Sequence, residues 1–284
     1  MSGDAGDSRA PGAAGPPKAF TSYDVQMSLY DRSRVELFAR ALRAVVRPGA
    51  VVADCGSGTG ILGMIAAREG AARVYCVEQS AEYVDILTEN VRRNDLTDRI
   101  AIIHADAARV ELPERVDVIV AEVLSAGFFY EPQLQIMNNV RRFLRSGGKM
   151  VPRRVDNFVE LIEAQEDMYG FTFTAEPRWK ALDDLALTDR VSYLRTDFDV
   201  HNSVEIAAEV VTTGRRAGRA NALRISYEIG LAPGVIGATP TEFLLNPQII
   251  FLDEPVDVRV GQRVVVALRY EAGSNPRFCK IILS

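Results

Sequence analysis

The sequence predicts an α/β fold: a mostly parallel, Rossmann-like sheet with helices on both faces, followed by a mainly antiparallel β-barrel or sandwich. Three observations carry this. Apolar strand-like runs alternate with helical stripes between residues 50 and 152, the pattern of a parallel sheet built from βαβ units. The stretch Val51-Val52-Ala53-Asp54-Cys55-Gly56-Ser57-Gly58-Thr59-Gly60 joins a buried strand to a helix through a glycine-rich turn. Beyond residue 153, alternating segments dominate, separated by turn signals such as Pro233-Gly234, Val260-Gly261 and Ser274-Asn275-Pro276.

In the glycine-rich turn, Gly56, Gly58 and Gly60 allow a sharp reversal and the close approach of a ligand with no Cβ in the way. Ile61, Leu62, Met64, Ile65 and Ala66 then supply a helix packed on the sheet. A dinucleotide fingerprint needs a third glycine where Ile61 stands, which disfavours a nicotinamide dehydrogenase. A second strand, Arg73-Val74-Tyr75-Cys76-Val77, ends at Glu78. That is about 20 residues on, where an acid reaches ribose hydroxyls. The pair points to a nucleoside cofactor; a plain tight turn is the alternative. The form of the loop, with Asp54 just before it, resembles the S-adenosylmethionine (SAM)-dependent methyltransferases.

The 284 residues suffice for one large domain or two moderate ones. A net charge of −5 gives no electrostatic footprint for nucleic acid. No apolar run approaches a membrane span, and the N-terminus lacks the form of a signal peptide. Cys55, Cys76 and Cys279 are odd in number and sit in apolar surroundings, which fits buried thiols in a reducing cytoplasm. With His104 and His201 they share no metal-ligand spacing, so no metal is expected.

Residues 1–19 consist of Gly, Ala, Pro, Ser and Asp with few others and are expected to be disordered. From Val25 to Val46, the residues Met27, Leu29, Val35, Leu37, Phe38, Leu42 and Val45 fit one helical stripe, ended by Pro48-Gly49. Arg34 lies on it, either as a solvated arginine or as a contact to the carboxylate of SAM. Further on, Ala81 to Asn94 reads as a helix with Tyr83, Val84, Ile86, Leu87 and Val91 on its buried side. A third strand, Ile100 to His104, runs into Asp106, which is placed to accept from an adenine amine or to cap its own turn. His104 reads as structural.

The fourth strand, Val116 to Ala121, opens into Glu122-Val123-Leu124-Ser125-Ala126-Gly127-Phe128-Phe129-Tyr130-Glu131. Ligands of open α/β sheets bind beyond the carboxyl ends of the strands, so Glu122 stands at the mouth of the site. A hairpin-like loop can bring Glu131 back beside it. Two acids facing one pocket can share a proton, bind a metal or clamp a cation. The absence of further ligands counts against a metal. Two unrelated acids are the remaining alternative.

The run from Asp54 to Glu78, the loop from Glu122 to Glu131 and the order of elements resemble the protein arginine methyltransferase family. Glu111-Leu112-Pro113 and the stretch from Leu144 to Pro152 add to the likeness, which covers residues 28–284 and is looser in the second half. The resemblance implies SAM as cofactor, held by Arg34, Asp54, Gly56, Gly58, Gly60, Glu78 and Asp106. It implies Glu122 and Glu131 as catalytic residues, Pro152 as a cis hinge between domains, and a homodimer. There are departures. Leu244-Leu245-Asn246-Pro247 stands where the family has a Thr-His-Trp loop, the segment after Phe171 is shorter than the family's dimerisation arm, and Ser125, Ala126 and Gly127 replace bulkier residues.

The expected domains are a disordered arm (1–19), a SAM-binding domain with an N-terminal helix (20–152), and a β-barrel substrate domain (153–284) with a short dimerisation arm near 172–190. Trp179 is either core or part of that arm. Arg215, Arg216 and Arg219 read as a solvated hairpin tip. The function implied is a cytoplasmic SAM-dependent N-methyltransferase acting on a guanidino nitrogen. Free L-arginine or a small guanidino metabolite is favoured over a protein's arginine side chain, with no nucleic-acid or membrane partner. A methyltransferase for another amine and an inactive SAM-binding module are the competing readings.

Overall fold

In the computed structural model, which describes residues 22–172, 178 and 183–284, the chain opens with two helices, α1 (Ser22–Tyr30) and α2 (Arg32–Val45). One continuous helix was expected here. Asp31 divides it: its side chain accepts the Arg34 N–H at 3.0 Å and so caps a new helix. The stripe then turns Phe38, Ala41 and Leu42 into the core, fully buried.

Five strands follow with their helices: β1 (Val51–Cys55), α3 (Ile61–Arg68), β2 (Arg73–Glu78), α4 (Ala81–Arg93), β3 (Ile100–His104), β4 (Val116–Val120), α5 (Gln133–Val140) and β5 (Leu144–Val151). They form one sheet in the order β3-β2-β1-β4-β5, every pairing parallel. Buried on both faces, β1 and β4 read as near-continuous apolar runs rather than as alternating ones. The chain moves outward to one side through β2 and β3, then crosses to β4 on the other side of β1. That reversal leaves a crevice above the carboxyl ends of β1 and β4. On α4 the buried side is narrower than expected: Tyr83, Leu87 and Val91 are buried, whereas Ile86 is exposed and Val84 half-buried.

The Val151–Pro152 peptide is cis. Beyond it run β6 (Arg154–Glu163), β7 (Asp167–Met168), β8 (Phe171–Thr172), β9 (Leu185–Ala186), β10 (Val191–Asp197), β11 (Glu205–Thr213), β12 (Gly218–Ala232), β13 (Val235–Gly237), β14 (Gln248–Val258), β15 (Arg263–Glu271) and β16 (Lys280–Leu283). All their pairings are antiparallel. One sheet has the order β10-β6-β12-β13, with β14 also on β12 and β9 on β6, and a second the order β11-β15-β16. Together they make a curled half-barrel, closed across one side by the Tyr193 and Tyr270 hydroxyls, 2.7 Å apart on β10 and β15. The link carrying Arg215 and Arg216 is not a hairpin tip, because β11 and β12 belong to different sheets; Arg219 is in β12, opposite Asp257. The arm at 1–19, Trp179 and much of the expected dimerisation arm lie outside the described residues.

Candidate active site

The glycine turn sits at the carboxyl end of β1, and its three glycines all have positive φ, between 51° and 85°. A Cβ on Gly56 would stand 2.8 Å from Val123 Cγ1, and one on Gly58 would stand 2.7 Å from Val25 Cγ1. The turn is therefore pressed between the loop after β4 and α1, and only bare backbone fits. Gly58 donates its N–H to Glu78 Oε2 at 2.8 Å, and Ser80 donates to Oε1 at 2.8 Å. Glu78 thus fastens the turn from the tip of β2 and retains lone pairs for a further donor.

Asp54, also expected among the cofactor-binding residues, lies beneath the turn. It is 1% exposed and accepts the Gly63 N–H of α3 at 2.8 Å, bracing the turn from beneath. Burial pushes its carboxyl up to about 7, against the pull of that bond. Asp106 makes the turn contact that was one of its two expected roles. Its Oδ1 accepts the Ala108 N–H at 2.8 Å, capping its own turn, and its side chain is 44% exposed. His104 is also exposed, with Nε2 3.1 Å from the Gln79 carbonyl oxygen, which fits a structural part.

Arg34 and Glu122 meet, although they lie on α2 and just after β4. Arg34 donates from Nε to Glu122 Oε2 at 2.6 Å and from Nη2 to the same oxygen. Nη1 donates to the Ser28 carbonyl at 3.2 Å, tying α1 to the pair. Both side chains are about nine-tenths buried. Burial pushes Glu122 above the usual carboxylate range, opposed by the Arg34 charge and by the Leu124 N–H.

Glu131 comes within reach of the Glu122 charge by a bent path. Gly127, Phe128 and Tyr130 all have positive φ, which is costly for the last two. The strain is held by bonds from distant strands. Gly127 donates to Asn157 Oδ1 at 2.8 Å, Tyr130 to the Ser274 carbonyl at 3.0 Å, and Gly273 to the Phe128 carbonyl at 2.7 Å. Phe128 and Phe129, both fully buried, anchor the loop, Phe129 against the Tyr270 ring at 4.5 Å between centroids. Glu131 is thereby left in an apolar place with a like charge nearby. Burial, then the charge of Glu122, pushes it up to about 8. Among the described residues nothing donates a hydrogen bond to its carboxylate. Two acids, one of them held above pH 7 in its proton affinity, are ready for a cationic guest that would offer both of them donors.

Sequence reasoning missed three residues here. Asp31 is 4% exposed, and its Oδ2 accepts the Phe243 N–H at 2.8 Å and the Thr241 hydroxyl. An aspartate followed by helix-forming residues is a legible N-cap, so half its role was detectable. Asn157 and Tyr227, buried in β6 and β12, carry no local signal. Among the described residues no cluster of three or more His, Cys, Asp or Glu could hold a metal. No helix among them is long and apolar enough to cross a membrane.

A glycine cradle that excludes any Cβ, an acid at the tip of β2 and a crevice at the switch point fit SAM, and they define a nucleoside-cofactor enzyme of the methyltransferase class. Comparison with known proteins agrees. A family described as "Methyltransferase domain" matches residues 52–148. An uncharacterized protein of Methanocaldococcus jannaschii, MJ1452, is 29% identical over 90% of this chain and 94% of its own length. The histone-arginine methyltransferase CARMER of Anopheles gambiae is 38% identical over 46% of this chain and 21% of its own length. A probable protein arginine N-methyltransferase 6 of Arabidopsis thaliana is 33% identical over 51% of this chain. This chain spans only 36% of that plant protein. A chain of the Trypanosoma brucei PRMT1 enzyme-prozyme heterotetrameric complex with AdoHcy shares the fold, with TM-score 0.76 at 21% identity over 92% of this chain and 98% of that one. In sequence and fold the chain is similar to SAM-dependent methyltransferases of protein arginine methyltransferase-like type.

Proposed function

We propose that the protein transfers a methyl group from SAM to a guanidino nitrogen, with free arginine or a small guanidino compound as substrate. The observation that supports this reading is that Glu131 lies near enough to Glu122, just past the carboxyl end of β4, to feel its charge. Gly56, Gly58, Gly60 and Glu78 would hold the nucleoside half of SAM, with Arg34 available to its carboxylate and Asp54 holding the turn in shape. Bound SAM supplies an electrophilic methyl group.

The chain's own residues would do the rest. A guanidinium ion is planar and keeps its proton at any physiological pH. Two carboxylates can grip its donors in a fixed orientation, each charged bond contributing about 1.5–3 kcal/mol. Orientation is the larger effect, with up to about 7–11 kcal/mol available from fixing the reacting geometry. Drawing positive charge toward the gripped nitrogens leaves electron density on the remaining one. Glu131, with its raised proton affinity, can then take up the proton that the nitrogen sheds.

The choice of a small substrate is supported by the loop at 241–247. Where the family has Thr-His-Trp, this chain places Leu244 and Leu245, both buried, so an apolar wall stands there. A protein substrate is the second reading, favoured by the names of the relatives from mosquito and plant. Mass spectrometry after incubation with SAM and either free L-arginine or an arginine-rich peptide separates the two. Methylation of the peptide alone overturns the preference. Glu122→Gln and Glu131→Gln are expected to abolish turnover while sparing SAM affinity by calorimetry; near-normal turnover in either rejects the clamp. A homodimer is the assembly we expect, to be checked by analytical ultracentrifugation.

A further inference from the structure

The loop that carries Glu131 is gripped from two different sheets. Asn157, on β6, holds Gly127 through its Oδ1 at 2.8 Å. The next three residues are held by the end of β15 and the turn after it. Gly273 donates to the Phe128 carbonyl at 2.7 Å, and the Ser274 carbonyl accepts the Tyr130 N–H at 3.0 Å. Between them, the Tyr270 ring lies against that of Phe129, tilted by 31° with 4.5 Å between centroids. Glu131 follows at once, its own N–H donating to the Phe129 carbonyl at 2.7 Å. Where Glu131 stands therefore depends on how far the β6 grip is from the β15 grip. Two buried phenols span that gap: the Tyr193 hydroxyl on β10, next to β6, is 2.7 Å from the Tyr270 hydroxyl on β15. The pairing of β10 with β6 shifts between Ser192, opposite Phe158, and Leu194, opposite Asn157, so Tyr193 is the extra residue of a bulge. Bulges re-aim a side chain. Here the hydroxyl is aimed at the loop, since a Cβ on Gly127 would stand 3.1 Å from it.

We infer that Tyr193 and Tyr270 are a positioning pair for Glu131, the bond between their hydroxyls setting the distance between the two grips on the acid loop. Stability alone does not call for this bond. Two buried hydroxyls that satisfy each other contribute little net, and replacing both by apolar groups of the same shape is nearly neutral. What a buried polar contact adds is one defined geometry, where bare rings could slide. The loop needs such a frame, because Phe128 and Tyr130 are held at positive φ, which a slackened loop would relax. Tyr270 transmits the constraint through the Phe129 ring, and Tyr193 through its contact with Gly127.

For catalysis the inference rests on Glu131 being half of the guanidinium clamp, and its test separates the two ideas. The double variant Tyr193→Phe/Tyr270→Phe removes both oxygens and keeps both rings, so its melting temperature should stay close to that of the parent. Each single variant leaves one hydroxyl unpaired and should melt lower. Carboxyl-carbon NMR on protein labelled at glutamate, with the signal assigned through Glu131→Gln, follows Glu131 without any turnover. Burial and the Glu122 charge hold its proton affinity up. A loosened loop admits water, so the midpoint should fall by about 0.5 pH unit or more in the double variant and in both singles. Turnover of free L-arginine should drop about tenfold in kcat, with affinity for S-adenosylhomocysteine unchanged. Thr212→Val is the control: it removes another buried bond between the sheets, to the Asp189 carbonyl at 2.7 Å, at the far end of β11. It should leave the midpoint in place. A double variant with the parent's midpoint overturns the proposal, as does an equal shift in Thr212→Val. A shift confined to the tyrosine variants, in a protein that methylates no guanidine, keeps the positioning pair and discards the clamp.

Discussion

Arg34 and Glu122, far apart in the chain, share one buried contact in which two guanidinium nitrogens donate to a single carboxylate oxygen, Nε at 2.6 Å. The contact joins the first helices to the loop after β4 and, through Nη1 on the Ser28 carbonyl, reaches α1 as well. Removing one member of such a pair leaves the other buried and unpaired, which costs about 3–5 kcal/mol. Arg34→Ala is therefore expected to lower stability by that order and to weaken binding of S-adenosylhomocysteine in calorimetry. The double variant Arg34→Ala/Glu122→Gln should recover part of the stability. A double variant no more stable than Arg34→Ala alone would show that the charge left behind is not the cause.

Glu131 gives the fold a pH dependence of defined sign. Its folded value, about 8, lies above its ordinary 4.5, so the native state holds a proton that the unfolded chain releases. Stability contributed by that proton is complete below the ordinary value and is lost as pH rises toward about 8. Asp54 acts in the same direction between 3.8 and about 7. Thermal melts across this range, without added cofactor, should fall with pH in the parent and fall less in Glu131→Gln. Identical slopes for the two proteins would contradict the environment described for Glu131.

Backbone freedom at the glycine turn can be separated from space. Gly60 has φ 85°, and a Cβ there would overlap the Leu87 side chain; Gly49 has the same φ with nothing within 4 Å. Both alanine variants incur the left-handed strain of about 1–2 kcal/mol. Only Gly60→Ala must also displace the buried Leu87 side chain of α4, so it should lose more stability and bind S-adenosylhomocysteine at least about tenfold more weakly. Equal behaviour of the two variants counts against the tight seat of the turn on α4.

Asp31 couples the start of α2 to the loop at 241–247. Asp31→Ala removes a helix cap worth about 0.5–2 kcal/mol and also strips the acceptor from Thr241 and the Phe243 N–H. Thr241→Val removes the hydroxyl alone. Chemical denaturation of both single variants and the double should reveal a coupling of about 0.5 kcal/mol or more. Strict additivity would mean that the two segments are not energetically joined.

Much of the first half was legible because its signals are local. The glycine turn, Glu78 at the end of β2 and the four apolar strands each follow from a short run of residues, whereas the cis proline came from the family resemblance. The barrel-like half gave strands by alternation, yet not their partners, so the connection at Arg215 read as a hairpin when its flanking strands lie in separate sheets. The acid loop was legible in residue type and spacing. What supports it was not: Arg34, Asn157 and Ser274 reach it from elements remote in sequence, and only register and packing bring them there. Asp106 shows the opposite limit, since an aspartate after a strand serves a ligand or its own turn equally well on paper.

The acid loop is locked by Gly273 and Ser274, which a ribosome adds long after Glu122 and Glu131. A nascent or truncated polypeptide that stops short of them can complete β1 to β5 and the glycine turn, yet lacks the Gly273 and Ser274 bonds that help to hold Phe128 and Tyr130 in their left-handed conformations. Competence to modify a substrate would then arrive only with the last strands, so that half-made copies hold the methyl donor without spending it on stray acceptors.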